Sequence, residues 1–287
     1  MSKTYEALLR AEREQAARKK GTVLSEPLPE PKIEEPKRKT RQGIQPIRPD
    51  AHHERYIGPV PVDNFIAKPD SIMAEQLRKL QGIVISHNIV NSLRSTLVTS
   101  CIPQEGKTSV ALNLSAVIAR GLDDSAILID ADLRKRNLSH LLGLGNVSGL
   151  SDVLQERATI EETLVDTQIE GLTILPAGTN PSNPAELIAS TRMKGLIRQL
   201  EASHKGSHII IDSTPIIATS EANALSQMTG GVIVVIMAEK TRRDVVNREL
   251  KTLTSEKILG VVLNCAEFET SDYYHGYYKG YYGKKKK

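Results

Sequence analysis

A chain of 287 residues, 39% of them apolar, has material for a real core in one large or two small domains, which excludes a wholly disordered protein. Two cysteines, Cys101 and Cys265, exclude a disulfide scaffold and a multi-cysteine zinc module, and they suit a reduced compartment. The formal charge is +4 and aromatics make up 3% of the chain, but neither is spread evenly.

Residues 1–55 carry 13 Lys/Arg against 9 Asp/Glu, and residues 269–287 carry 5 against 2. The remainder, 56–268, has 20 bases and 23 acids, so the middle of the chain lacks the positive face that a nucleic-acid reader needs. Six of the ten aromatic residues are Tyr273, Tyr274, Tyr277, Tyr278, Tyr281 and Tyr282. The core is therefore expected to be built from Ile, Leu, Val and Ala. The longest nearly apolar run, residues 230–238, is about half the ~20 residues of a membrane span. Charges at Lys3 and Glu6 interrupt any apolar signal core. The composition predicts a soluble, cytoplasmic protein.

In chain order, residues 1–20 are strong helix formers with a short apolar stripe of Tyr5, Leu8, Leu9 and Ala16, which either docks on a partner or frays in solvent. Residues 21–69 read as a linker rich in Pro and charge, with runs such as Glu26-Pro27-Leu28-Pro29 that have no means of packing. His52-His53 falls in it without further metal ligands. From 70 to 268 helix and strand alternate. Helices are expected at 71–85, 107–120, 151–156, 160–166, 184–202, 221–228 and 241–256. Strands are expected at 96–101, 126–130, 172–176, 208–212, 232–237 and 258–264. Continuous apolar strands separated by helices predict an α/β fold, a mostly parallel sheet flanked by helices on both faces. After Phe268 a tail of Gly, Tyr and Lys follows, with no apolar periodicity. Its lysines at 284–287 would either touch anionic lipid or stay solvated.

The strongest local signal lies at residues 100–109, between a strand and a helix. Pro103, Gln104, Glu105, Gly106, Lys107, Thr108 and Ser109 form the loop and helix start of a P-loop, whose backbone N–H groups wrap phosphates. Lys107 would reach the β and γ phosphates, and the Thr108 hydroxyl would ligate Mg²⁺. Cys101 stands where G-x-x-x-x-G-K-S/T has its first Gly. A redox-sensitive thiol or a simple replacement of a small residue both account for it. Two buried strands end in acids: Asp130-Ala131-Asp132-Leu133-Arg134 after residues 127–129, and Asp212 after residues 209–211. In open parallel sheets, sites form at the carboxyl ends of strands, so these acids should converge with the P-loop. Acids beside a G-K-T loop suit Mg²⁺ binding and proton transfer.

These motifs resemble the bacterial tyrosine kinases (BY-kinases) that accompany polysaccharide export, a P-loop NTPase class related to the MinD/ParA ATPases. The likeness covers about residues 70–287. It rests on residues 103–108, the 130–134 segment, residues 209–215, Gly149-Leu150-Ser151-Asp152, Gly178-Thr179-Asn180-Pro181, and the tyrosine cluster, which the family autophosphorylates. The MinD/ParA proteins themselves carry an extra Lys at the position of Ile102. The resemblance implies ATP and Mg²⁺ as cofactors, held by Lys107, Thr108, Asp132 and Asp212. It implies Asp130 as the base for the tyrosine proton, Arg134 as helper of the acids or phosphates, and Asn264 near the adenine. It further implies Tyr273 to Tyr282 as phospho-acceptors, a membrane-bound activator that governs polysaccharide chain length, a cognate phosphatase and recruitment to the inner face of the membrane. In the family a helix bearing E-x-x-R-x-x-R packs subunits into a ring. Here Glu75 and Arg78 match and Gln81 does not, so a homo-oligomer is left open. Two other functions share the nucleotide motifs: an ATPase switch without kinase chemistry, and a nucleotide-binding scaffold.

Overall fold

The computed structural model describes residues 59–266, apart from 70, 92, 123 and 146. The N-terminal helix, most of the linker and the tyrosine tail, all expected from sequence, lie outside these residues. Helix α1 (Ile72–Asn91) and strand β1 (Ser95–Ser100) come first, then α2 (Lys107–Ala119), β2 (Ser125–Asp130), α3 (Asn137–Leu141), α4 (Leu150–Leu154) and α5 (Ile160–Thr163). They are followed by β3 (Val165–Asp166), β4 (Leu172–Leu175), α6 (Pro184–Ile188), α7 (Thr191–Ser203), β5 (Ser207–Asp212), α8 (Glu221–Met228), β6 (Gly231–Met237), α9 (Arg243–Leu250) and β7 (Ile258–Asn264). Seven strands form one sheet in the order β3-β4-β2-β5-β1-β6-β7, in which only β3 runs antiparallel. The β-branched, apolar character of β1, β2, β5 and β6 follows from burial on both faces.

The two faces separate by strand alternation. Val98, Leu128, Ile210, Ile233 and Val235 face α1 and α2, together with Leu77, Leu80, Val84, Leu112 and Leu114. Leu97, Ile127, Ile129, Ile209, Ile211, Val232 and Val234 face the other layer, with Leu196, Ile197, Leu200 and Leu225. No aromatic residue enters either cluster, as the composition requires.

Several boundaries differ from the sequence expectation for local reasons. Residues 184–202 form two helices rather than one, because the Ser190 hydroxyl accepts the Met193 N–H at 3.1 Å and caps a new helix start. The expected helix at 160–166 stops at Thr163 and its last residues become β3, paired to β4. Helix α9 covers only part of residues 241–256. The linker assignment reached residue 69, yet Val60 and Val62 are fully buried and Val60 bridges to Thr167. Asn113 on α2 fastens the same stretch. Its Oδ1 accepts the Ala67 N–H at 2.7 Å, and its Nδ2 donates to the carbonyls of Phe65 and Ser109 at 3.0 and 2.8 Å. A polar side chain buried within α2 has no local sequence signature, since two of its three partners, Ala67 and Phe65, lie 46 and 48 residues upstream.

Asn113→Ala is expected to lower stability by about 1–3 kcal/mol, the cost of stranding buried backbone groups. Urea unfolding followed by circular dichroism would check this, and no loss of stability would refute the role given to Asn113.

Candidate functional site: a nucleotide-binding edge

β1, β2 and β5 are neighbours in the sheet, with β5 between the other two and all three parallel. Asp130 and Asp212 are direct register partners across β2 and β5, and Val98 of β1 pairs with Asp212 on the other side. Parallel pairing thus brings together three strand ends that are far apart in sequence. The loop after β1 runs from Cys101 to Gly106 and feeds α2. Gln104 and Gly106 have positive φ, 66° and 87°. A Cβ at Gly106 would lie 2.1 Å from Nδ2 of Asn264 and push that side chain aside, and the φ of 87° itself favours glycine there. The backbone N–H groups of residues 104–109 have no acceptor among the described residues, which leaves a ring of donors at a helix N-terminus.

Lys107 lies at the centre. Its Nζ is 3.5 Å from Asp132 Oδ2, 3.5 Å from Asp212 Oδ1 and 3.3 Å from the Thr108 hydroxyl, and the side chain is almost wholly buried. Asp132 Oδ2 and both oxygens of Asp212 are buried with no close hydrogen bond, the Lys107 ammonium standing off at 3.5 Å. Burial pushes the Asp212 carboxyl above the usual carboxylate range, against the opposing pull of the Lys107 charge and the Thr108 hydroxyl. Three unsatisfied carboxylate oxygens beside a hydroxyl are a hard-oxygen donor set that fits Mg²⁺. Among the described residues no group of three or more His, Cys, Asp or Glu could hold a metal unaided. A cation held by these residues would take the remainder of its shell from other ligands such as a nucleotide, as Mg²⁺ commonly does.

The other expected residues are placed differently. Asp130 is fully buried, with Oδ2 accepting the N–H and hydroxyl of Ser139 at 2.8 and 2.7 Å. Burial pushes it up to about 7, with the neighbouring Asp212 charge adding to the rise and the Ser139 bonds opposing it. Arg134 points to neither acid of its own segment. Its Nε donates to Glu221 Oε1 at 2.9 Å, and the Glu221 side chain is fully buried at the start of α8. Asn264 directs its Nδ2 at the Glu105 carbonyl, 2.9 Å away, so in this structure its amide grips the loop. Cys101 is buried and its thiol is pushed up to about 12, chiefly by burial, which favours the simple-replacement reading over a redox role. Glu75 and Arg78 pair with each other at 2.6 Å on the surface of α1. The six tyrosines of the tail lie outside the described residues. Sequence reasoning missed Ser139 and Glu221, which no spacing rule marks.

The two further family segments meet beside this edge. Asp152 Oδ2 accepts the N–H of Gly149 and of Thr179, both at 3.0 Å, and Oδ1 accepts from the Thr179 hydroxyl and from Arg157 at 2.6 and 2.7 Å. Gly178, with φ 83°, has no room for a Cβ against Asp152 Oδ2. Although burial raises its pKa, these donors outweigh that effect and hold the carboxyl below the usual range.

This is the site of a P-loop nucleotide-binding protein. A family model described as an AAA domain matches residues 105–256. The chain is 30% identical over 213 residues to a putative tyrosine-protein kinase CapB of Staphylococcus aureus, covering 74% of this chain and 92% of that protein. It is 32% identical over 226 residues to tyrosine-protein kinase YwqD of Bacillus subtilis, covering 77% and 92%. The crystal structure of the chimerical protein CapA2B2 superposes with a TM-score of 0.65 at 30% identity, over 70% of this chain and 88% of that one. The chain belongs to the bacterial tyrosine-protein kinases. Among the described residues no helix is long and apolar enough to cross a membrane.

Asp152→Asn removes a carboxylate whose folded pKa is depressed. Its contribution is present above the unfolded pKa of about 3.9 and is lost as pH falls through the folded value. The variant is expected to be less stable than the parent by about 1–3 kcal/mol at pH 7, with the difference shrinking near pH 3. Urea midpoints at the two pH values measure this; a pH-independent difference would contradict the assignment.

Proposed function

We propose that this kinase transfers the γ-phosphoryl group of ATP to Tyr273, Tyr274, Tyr277, Tyr278, Tyr281 and Tyr282 of its own tail. We further propose that the modification regulates the export of an exopolysaccharide or capsule. The observation that carries the reading is the set of orphaned oxygens on Asp132 and Asp212 around Lys107, beneath a ring of free loop N–H groups.

In this reading the N–H groups of residues 104–109 bind and orient the phosphates, and Lys107 neutralises them from below. Mg²⁺, held by Thr108, Asp132 and Asp212, supplies further positive charge against the phosphates when bound. A tyrosine hydroxyl, with a pKa of about 10, is neutral at pH 7 and must lose its proton during transfer. Asp130, at the end of β2, accepts it. Arg134, held through Nε by Glu221, has no protein partner for its other nitrogens among the described residues and presents them to an incoming anionic group. Each phosphate adds a charge of about −1.5 to −2, so a few of them reverse the basic character of the tail and drive neighbouring subunits apart. A phosphatase resets the cycle. A membrane-bound activator recruits the chain to the inner face of the membrane through residues 1–55.

Incubation with Mg-ATP is expected to place phosphate on the tail tyrosines by mass spectrometry and to reduce oligomer size by light scattering, with neither change in Lys107→Met. Free phosphate without phosphotyrosine would overturn the kinase assignment in favour of an ATPase switch, and binding without turnover would leave only a scaffold. Deletion of residues 1–55 is expected to abolish capture of the membrane activator; undiminished capture would refute that role.

A further inference from the structure

An acid within a phosphate-binding loop is misplaced by charge alone, yet Glu105 adjoins the loop glycine. Its carboxylate turns away from the ring of free N–H groups and is 1% exposed. Oε2 accepts the Ile102 N–H at 2.8 Å, Oε1 accepts the Met237 N–H at 3.1 Å, and the Thr241 hydroxyl also donates to Oε1. One side chain thus fastens the start of the loop, the end of β6 and the turn that leads to α9. A second tie closes the ring. The Ala238 N–H donates to the Asn264 carbonyl at 2.8 Å, and the Asn264 amide donates to the Glu105 carbonyl at 2.9 Å. Between these ties lies Gln104, a non-glycine residue at φ 66°. Such a conformation persists only where the surroundings determine it.

We propose that Glu105 and Thr241 are positioning residues for nucleotide binding. Thr241, outside the P-loop and more than 130 residues from it, acts through the Glu105 carboxylate to hold the loop in the shape its phosphate donors require. The Thr241 hydroxyl and the Met237 N–H satisfy one carboxylate oxygen, and the Ile102 N–H satisfies the other. Loss of either set lets the carboxylate rotate and releases Gln104. The inference rests on phosphate binding by the loop and not on transfer to tyrosine, so the two readings fail separately.

The test compares Mg-ADP affinity, by isothermal titration of the full chain, with the melting midpoint in the absence of nucleotide. Thr241→Val keeps the shape and removes the donor, and is expected to weaken Mg-ADP about fivefold with little change in melting. Thr241→Ser keeps the hydroxyl and is expected to bind as the parent does. Glu105→Ala removes both acceptor oxygens and is expected to weaken binding about tenfold or more, and adding Thr241→Val to it should cost nothing further, because Thr241 acts only through the Glu105 carboxylate. Parent-like affinity in Thr241→Val, equal weakening in the Val and Ser variants, or multiplying losses in the double variant would each overturn the proposal. The Val and Ser comparison stands even if Glu105→Ala does not fold.

Discussion

Two carboxylates buried near each other at the edge of a sheet are costly to keep without a cation, and Lys107 is the side chain that reaches both. Its Nζ is equidistant from Asp132 and Asp212, and neither contact is a close hydrogen bond. The arrangement is a loose electrostatic truce rather than a tight ion pair. Removing the lysine leaves uncompensated buried charge, whereas in the proposed reading a divalent cation and phosphates would give both sides better partners. The domain thus holds its charge in a form that favours exchange for ligand. The parallel sheet makes this feasible, because it carries three distant sequence segments to one edge and covers both faces with aliphatic side chains that exclude water.

Around that centre the supporting contacts are tight. Ser139 locks Asp130 and also accepts the Ala177 N–H at 2.9 Å, which joins the acid to the strand end beyond β4. Asp152 stitches two loops with four donors, and Glu221 holds Arg134. Asp132 Oδ2, both oxygens of Asp212 and Glu221 Oε2 lack a hydrogen bond, whereas both oxygens of Asp130 and of Asp152 are bonded. Burial alone does not separate these carboxylates, since Asp130, Asp152 and Asp212 are all wholly buried.

Much of this was legible in the sequence. Six of the seven strands and the parallel arrangement follow from apolar runs, and the meeting of Lys107, Thr108, Asp132 and Asp212 follows from strand ends placed on one edge. What was not legible depends on contacts between distant segments. The strand β3 is two residues long and exists only because β4 offers an edge. Val60 and Val62 belong to a stretch whose composition reads as linker, and they are buried because Thr167 and Asn113 capture it. Arg134 and Asn264 were recognisable as special positions, but their partners, Glu221 and the Glu105 carbonyl, lie 87 and 159 residues away. Glu105 itself read as part of the phosphate loop, and only the structure shows its side chain facing the other way.

The grip of Asn264 on the phosphate loop has a geometric consequence for the chain that leaves β7. Tyr273 follows Asn264 by nine residues, so at about 3.3–3.6 Å per residue it lies no more than about 30 Å from Asn264. Tyr282, eighteen residues on, has about twice that leash. The covalent connection therefore sets a graded upper limit on how far each of the six tyrosines lies from the loop, shortest for Tyr273 and longest for Tyr282.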